Sequence, residues 1–406
     1  MTTVTADRRG RNDGFRVVAE PFLQHDGLPF AQVLSADAIE RVFADHEALF
    51  GQDDIFSTDI VLWAFLAQTL RDGKGLHAKL VDGFTFTMPD TLENQEAFPQ
   101  LSSQSPGVGF PIARACAVIS LATASVCDVA IGPYEGKETG ENALLRDMLD
   151  MFDVGDVVVF DRYYCSFMML ALLVLGGAHV CTRLHQRRPS DFRRGCRLGK
   201  DDHLITWDRP ARPSWMSEEQ YDHIPETLTL RELRFIVTVP GRRTETITVV
   251  TTLTDPKAYP AEDIATLYSL RWNVELDIRD IKQTLGLDHA RCKTPDMVRR
   301  ELWVTMLAYN LIRKVMATSA TIHDKQPRGL SFTSACQTVL ASWMLLSTGA
   351  VRDASALWGA ALTSIAAHEV ANRPGRIEPR VLKRRRHRYP LMQRPRERLR
   401  AELEKT

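Results

Sequence analysis

The sequence lacks most of what would tie it to a secreted, membrane-spanning or zinc-dependent protein. Its seven cysteines (116, 127, 165, 181, 196, 292 and 336) are odd in number and form no Cys-x-x-Cys pair. That argues against a disulfide framework or a thiolate zinc site and points to a reducing cytoplasm. The eleven histidines show no His-x3-His spacing. The opening Met-Thr-Thr-Val-Thr-Ala-Asp-Arg-Arg-Gly holds no hydrophobic signal core. The longest apolar run, residues 167–178, is too short for a bilayer and reads as a buried helix, so no membrane is expected as partner. Gly136-Lys137 lacks the upstream glycine and the Ser/Thr of a phosphate-binding loop, and no Gly-x-Ser-x-Gly elbow marks a serine hydrolase. Internal repeats and a helix-turn-helix pattern are also missing.

An excess of one charge is missing too, since Lys+Arg and Asp+Glu both count 51. The balance hides an asymmetry. Residues 373–400 carry 12 Lys+Arg against 2 Asp+Glu, which leaves the rest of the chain with ten surplus acids. Residues 183–200 hold seven basic residues and one acid. Such a distribution fits a polyanion partner, and a solvated disordered segment accounts for the tail equally well. At 44% hydrophobic and 25% charged, the 406 residues are ordinary for a globular protein of two to four domains.

Along the chain, Ser35 and Ser57 stand as caps of two helices in an N-terminal unit, residues 1–76. Residues 80–87, 113–121 and 125–131 read as strands, 140–152 as a helix, and 156–161 as a short buried strand. The apolar helix from Phe167 and a strand at 178–184 complete a β-β-β-α-β-α-β order, a mixed α/β unit with an antiparallel start and a parallel continuation. Residues 185–254 form a β-rich insertion, with strands from Arg231 and Glu245 joined at Pro240-Gly241. Helices follow at 261–285, 295–316 and 333–346; the core then divides as 77–184 and 255–330, with C-terminal helices over 331–372. The basic tail, 373–406, is interrupted by Pro374, Pro379, Pro390 and Pro395 and does not read as one helix.

The helix at 261–285 contains no Gly or Pro. At about 100° per residue, its Tyr268, Arg271, Glu275 and Lys282 share an arc of roughly 60°, spread along roughly 21 Å. Beside them runs an apolar ridge of Leu267, Leu270, Val274, Ile278, Ile281 and Leu285. A carboxylate among phosphate-binding side chains suits a site for metal ions and nucleic acid; a salt-bridged surface helix has the same composition. Two strand-borne aspartates, Asp82 and Asp161, precede it. Together with Glu275 they form a set of hard oxygen donors suited to Mg2+ or Mn2+, although any one Asp alone reads as a turn or surface residue. A pair of such ions can activate an attacking oxygen and stabilise a leaving one in displacement at phosphorus.

These residues resemble the DDE transposases of bacterial insertion sequences, the group with a Y-x2-R-x3-E-x6-K signature. Tyr268, Arg271, Glu275 and Lys282 match that spacing without a gap. Asp82-Gly83, with Pro89-Asp90-Thr91 and Asn94, resembles the segment around the family's first catalytic Asp. The stretch from Gly155 to Asp161-Arg162 resembles the segment around its second. The similarity runs from about Phe56 to Arg400, through the β-rich insertion to the basic end. Trp272 also fits the family pattern but falls outside the charged stripe.

The resemblance implies a ribonuclease-H-like catalytic core interrupted by the insertion, flanked by a helical N-terminal unit that binds DNA ends and a helical, basic C-terminal region. It implies that Asp82, Asp161 and Glu275 hold two Mg2+ ions, with Mn2+ as a substitute, and that Tyr268, Arg271 and Lys282 grip DNA. The expected partners are double-stranded DNA (the element's terminal inverted repeats and target DNA) and a second copy of the chain in a synaptic homodimer. The expected location is the cytoplasm, with the nucleoid when DNA is bound. The expected activity is cut-and-paste transposition by metal-dependent strand cleavage and strand transfer. A ribonuclease-H-like nuclease that does not join, and a non-enzymatic transposase-derived DNA-binding protein, are the rival readings. Trp207 and Trp215 are both open as an aromatic pocket for a flipped base.

Overall fold

A computed structural model describes residues 77–237, 245–349, 351–370 and 392–404. The N-terminal helices, the Pro240-Gly241 turn and most of the basic tail lie outside the described residues. Among the described residues the strands are β1 (Ala78–Thr87), β2 (Ile112–Ser120), β3 (Val126–Pro133), β4 (Val157–Phe160), β5 (His179–Arg183), β6 (Cys196–Gly199), β7 (Asp202–Asp208), β8 (Thr227–Val237) and β9 (Glu245–Thr251). The helices of the same unit are α1 (Leu92–Ala97), α2 (Glu141–Arg146), α3 (Phe167–Leu175), α4 (Glu218–His223), α5 (Ala261–Ser269) and α6 (Asn273–Arg279), and α7 (Pro295–Ile322) begins there. No helix of the described residues is long and apolar enough to cross a membrane.

The strands form one mixed sheet in the order β3-β2-β1-β4-β5-β9-β8-β7-β6. β1, β4 and β5 are parallel neighbours, while β2 and β3 are antiparallel, matching the order expected from the sequence. β4 is Val-Val-Val-Phe and buried throughout, as a β-branched run covered on both faces should be. One face carries Val81, Val118, Val158, Phe160 and Val180 against Leu144 and Leu145 of α2 and Phe167 and Leu170 of α3. Ser166 caps α3 through Met169 N–H, and Gly177, at φ +80°, turns the chain from it into β5.

The insertion does not stand as a separate sheet. β9 pairs antiparallel with β5, so β9, β8, β7 and β6 extend the core sheet outward. Buried polar pairs bind these strands. Arg231 makes a two-pronged bond to Asp202 at 2.8 and 2.6 Å, and His203 lies 3.2 Å from Glu232.

The expected helix at 261–285 is helical throughout but not uniform. α5 passes through a 3-10 turn at Leu270–Trp272 into α6, which ends in a π turn at Asp280–Thr284 before Gly286. The tight turn shifts the phase of the faces. Val274, Ile278 and Ile281 are buried as expected, whereas Leu270 is 40% exposed.

In the second compact unit, the described residues are helical: the later turns of α7, α8 (Phe332–Ser347) and α9 (Ala354–Ala367). Ser319 on α7 donates to Leu362 O at 2.7 Å, tying it to α9. The described end of the tail forms α10 (Arg396–Leu403), which starts directly after Pro395.

Candidate active site

The first two carboxylates meet through strand register. Leu80 pairs with Val159 in the parallel β1–β4 ladder. Asp82 stands two residues beyond Leu80 on β1, and Asp161 follows the last residue of β4, near enough for the two carboxylates to repel each other. Alternation turns Leu80, Asp82 and Val159 away from the α2–α3 layer, to the face where α6 packs on β1. Asp161 is where β4 leaves the sheet. Its side chain accepts Tyr163 N–H at 2.7 Å as a 3-10 cap, and Thr182 of β5 donates to its carbonyl at 2.9 Å. Asp82 Oδ1 accepts Gly83 N–H at 2.9 Å.

The segment after the signature helix returns to the end of β1. Thr87 N–H donates to Asp288 O at 3.2 Å and Ala290 N–H to Thr87 O at 2.8 Å. Thr91 and Asn94 add bonds to Lys293 O and Cys292 O, so the Pro89–Asn94 motif residues act as a clasp. The Arg271 guanidinium lies between Asp82, at 3.7 Å, and Glu275, at 3.0 Å, and is itself buried. Tyr268 is also buried, and burial pushes its phenol up to about 12, with Arg271 acting against it. Lys282 forms an ion pair with Asp288 at 2.9 Å. Of the expected stripe, then, Tyr268 and Arg271 turn inward, while Glu275 is exposed and Lys282 half-buried. Trp272 is 50% exposed, with the Arg271 guanidinium 4.9 Å from its ring centre.

The site is short of positive charge on the sheet side. Burial raises the Asp82 carboxyl to about 7; Arg271 and Gly83 N–H oppose this, and Asp161 and Glu141 add to it. Glu141, the first residue of α2, was not singled out in the sequence. Its carboxylate occupies the space that a Cβ on Gly83 would fill, so a side chain there would have to displace it. Its own pKa is raised by burial, against Tyr164 and Arg114. A cavity of about 340 Å³ lies at the start of α3, with Tyr163, His185, Arg187 and Arg188 on its wall. Arg188 stacks on the buried Trp207 at 3.8 Å and Arg146 on Trp215 at 3.9 Å, so both indoles already carry a cation on one face.

The transposase DDE domain family model matches residues 75–311, more than half of the chain and all of this site. The chain belongs to the transposase DDE domain family. It is 27% identical to the transposase InsG for insertion sequence element IS4 of Escherichia coli K12 over 362 residues, 88% of this chain and 76% of the relative. It is 41% identical to the putative transposase y4zB of Sinorhizobium fredii over 64 residues, 16% of this chain and 18% of that one. Among solved structures, that of a piggyBac transposase synaptic complex with hairpin DNA aligns with TM-score 0.44 and 9% identity, covering 90% of this chain and 78% of the other.

This transposase is an enzyme of insertion-sequence type that cleaves and joins DNA strands by phosphoryl transfer, and the family works with divalent metal ions. The donor chemistry here fits such ions. Asp82 and Asp161 are hard oxygen donors side by side, and the upward shift of Asp82 marks negative charge that a cation would relieve. Among the described residues, no three acidic, His or Cys side chains close on a single point. Arg271 supplies the positive charge between Asp82 and Glu275.

Proposed function

We propose that Asp82, Asp161 and Glu275 are the catalytic carboxylates of this transposase, on a ribonuclease-H-like core, and hold two Mg2+ ions for which Mn2+ can substitute. The observation that carries the proposal is Arg271 linking Asp82 to Glu275, with Asp161 brought near Asp82 at the exit of the neighbouring strand β4. Divalent cations bound there supply a more acidic water and neutralise charge on the phosphate. The chain's own residues do the rest. Asp82 on β1 and Asp161, held by its cap at the exit of β4, set the position of the reacting phosphate. Arg271 is placed to move from Glu275 onto a phosphate oxygen, its guanidinium presenting two parallel donors. Tyr268 offers a neutral hydroxyl donor and Lys282 a point charge further along the same helical run. Water attacks the phosphorus at the element end and the 3′-oxygen leaves as a free hydroxyl; that 3′-hydroxyl then attacks a target phosphorus, displacing the target strand's own 3′-oxygen.

The finer assignments follow from this reading. The N-terminal unit, residues 1–76, binds the terminal inverted repeats, and residues 373–406 add sequence-independent grip. The cavity walled by Tyr163, His185, Arg187 and Arg188, which opens two residues after Asp161 in the chain, takes part of the DNA strand. Two copies of the chain hold two element ends in one complex. The test uses the full chain with end DNA and Mg2+. Asp82→Asn, Asp161→Asn and Glu275→Gln should each lower cleavage and strand transfer by about 10³-fold or more while end binding holds. Nicking at the wild-type rate in all three variants would overturn the assignment.

A further inference from the structure

β1 and β4 do not end together. β4 stops at Phe160 and Asp161 turns off into its 3-10 cap, whereas β1 continues from Asp82 to Thr87. On the side that β4 vacates, β1 has no ladder partner among the described residues between Leu80 and the Thr87–His289 bridge, which leaves a notch beside Gly83. Asp82 and Asp161 border it. Glu141 reaches the same strand from the opposite face of the sheet, through the space that Gly83 leaves by having no side chain. Its carboxylate is not there by default. Tyr164 donates its hydroxyl to Glu141 Oε2 at 3.2 Å and is itself fully buried. Arg114, which donates to Thr139 O at 3.3 Å, is the cation that partly offsets its charge.

A purely structural partner for Tyr164 needs only a neutral acceptor, and a glutamine would serve. A carboxylate instead places a further negative charge against Gly83, next to Asp82, where Arg271 at 3.7 Å from Asp82 is shared with Glu275 and leaves room for a second cation. Divalent ions such as Mg2+ keep several of their waters, so a carboxylate can hold one without ligating it directly.

We infer that Glu141 is a fourth carboxylate of the reaction centre, a positioning residue that holds the hydrated divalent cation in the notch beside Gly83 through the cation's water shell. This rests on the reading that Asp82 and Asp161 bind that cation. Gly83 then has a definite task, since any side chain there would push Glu141 out.

Manganese binding to the full chain without DNA, followed by electron paramagnetic resonance of free Mn2+, separates the possibilities. Glu141→Gln keeps the acceptor for Tyr164 and removes the charge. It should weaken Mn2+ binding by about tenfold, with an unchanged or raised melting temperature in the absence of metal. Glu141→Asp, which withdraws the carboxylate by one methylene, should give a smaller loss, and it carries the test if Glu141→Gln does not fold. Wild-type Mn2+ affinity in the folded Glu141 variants, with affinity lost in Asp82→Asn and Asp161→Asn, would overturn the role of Glu141 and leave the aspartate site standing. Wild-type affinity in all of them would overturn both.

Discussion

Asp82 is the residue whose surroundings say most about the site. Its carboxyl titrates near 7 because burial disfavours the charged form and Arg271 and the Gly83 amide offset only part of that. The folded pKa lies above the ordinary carboxylate value, so the folded chain binds the proton more tightly than the unfolded one. Stability therefore falls as pH rises from about 4 to about 7, and the full cost is present above 7. Asp82→Asn should accordingly melt higher than wild type at pH 8 in metal-free buffer, by at most about 4 kcal/mol. Near pH 4 the two should differ little. Thermal melts at both pH values check this, and a variant less stable at pH 8 would contradict it. The sequence marks Asp82 by its place in an apolar strand. It gives no sign of Glu141, whose approach depends on a contact between residues 58 positions apart.

At the scale of elements, the approach of Asp161 to Asp82 depends on how β1 is held to β4. Lys79 on β1 and Asp156 just before β4 are both about 1% exposed and form an ion pair, with Lys79 also donating to Met151 O at 3.1 Å. Lys79→Met would leave the Asp156 carboxylate buried with only the Asp153 amide to satisfy it. We expect a loss of about 3–5 kcal/mol in urea unfolding, because an unpaired buried charge costs more than the pair contributes. The signature helix makes a different point. An even 3.6-residue period predicts one stripe, but the 3-10 and π turns rotate Tyr268 and Arg271 inward and leave Glu275 and Lys282 nearer solvent. The amphipathic pattern was readable because it is local. The turns were not, because they answer to packing on β1 and to the clasp at residues 288–293. Lys282→Ala should weaken end binding and lower the slope of log affinity against log salt by about one unit. An unchanged slope in a salt titration would remove Lys282 from the phosphate contacts.

Across the whole molecule, zero net charge conceals a basic end and an acidic remainder. A chain ending before Arg373 should bind DNA of any sequence about tenfold or more weakly at physiological salt, with a shallower salt dependence. Filter binding at several salt concentrations measures both; equal slopes would show that the tail contributes no phosphate contact. The division of labour between sequence and tertiary structure follows range. The sequence alone determined the α/β order, the antiparallel start and parallel continuation, the spacing of Tyr268, Arg271, Glu275 and Lys282, and Asp82 within a strand, since each is a local pattern of hydrophobicity or spacing; Asp161, expected to end a strand, instead caps the 3-10 turn just past β4. Only the folded chain decided that β9 joins β5 so that the insertion extends the core sheet, that Arg271 lies between Asp82 and Glu275, and that Glu141 comes up against Gly83. Strand order, side-chain burial and the meeting of charges arise from packing between segments far apart in the chain, and no local period encodes them.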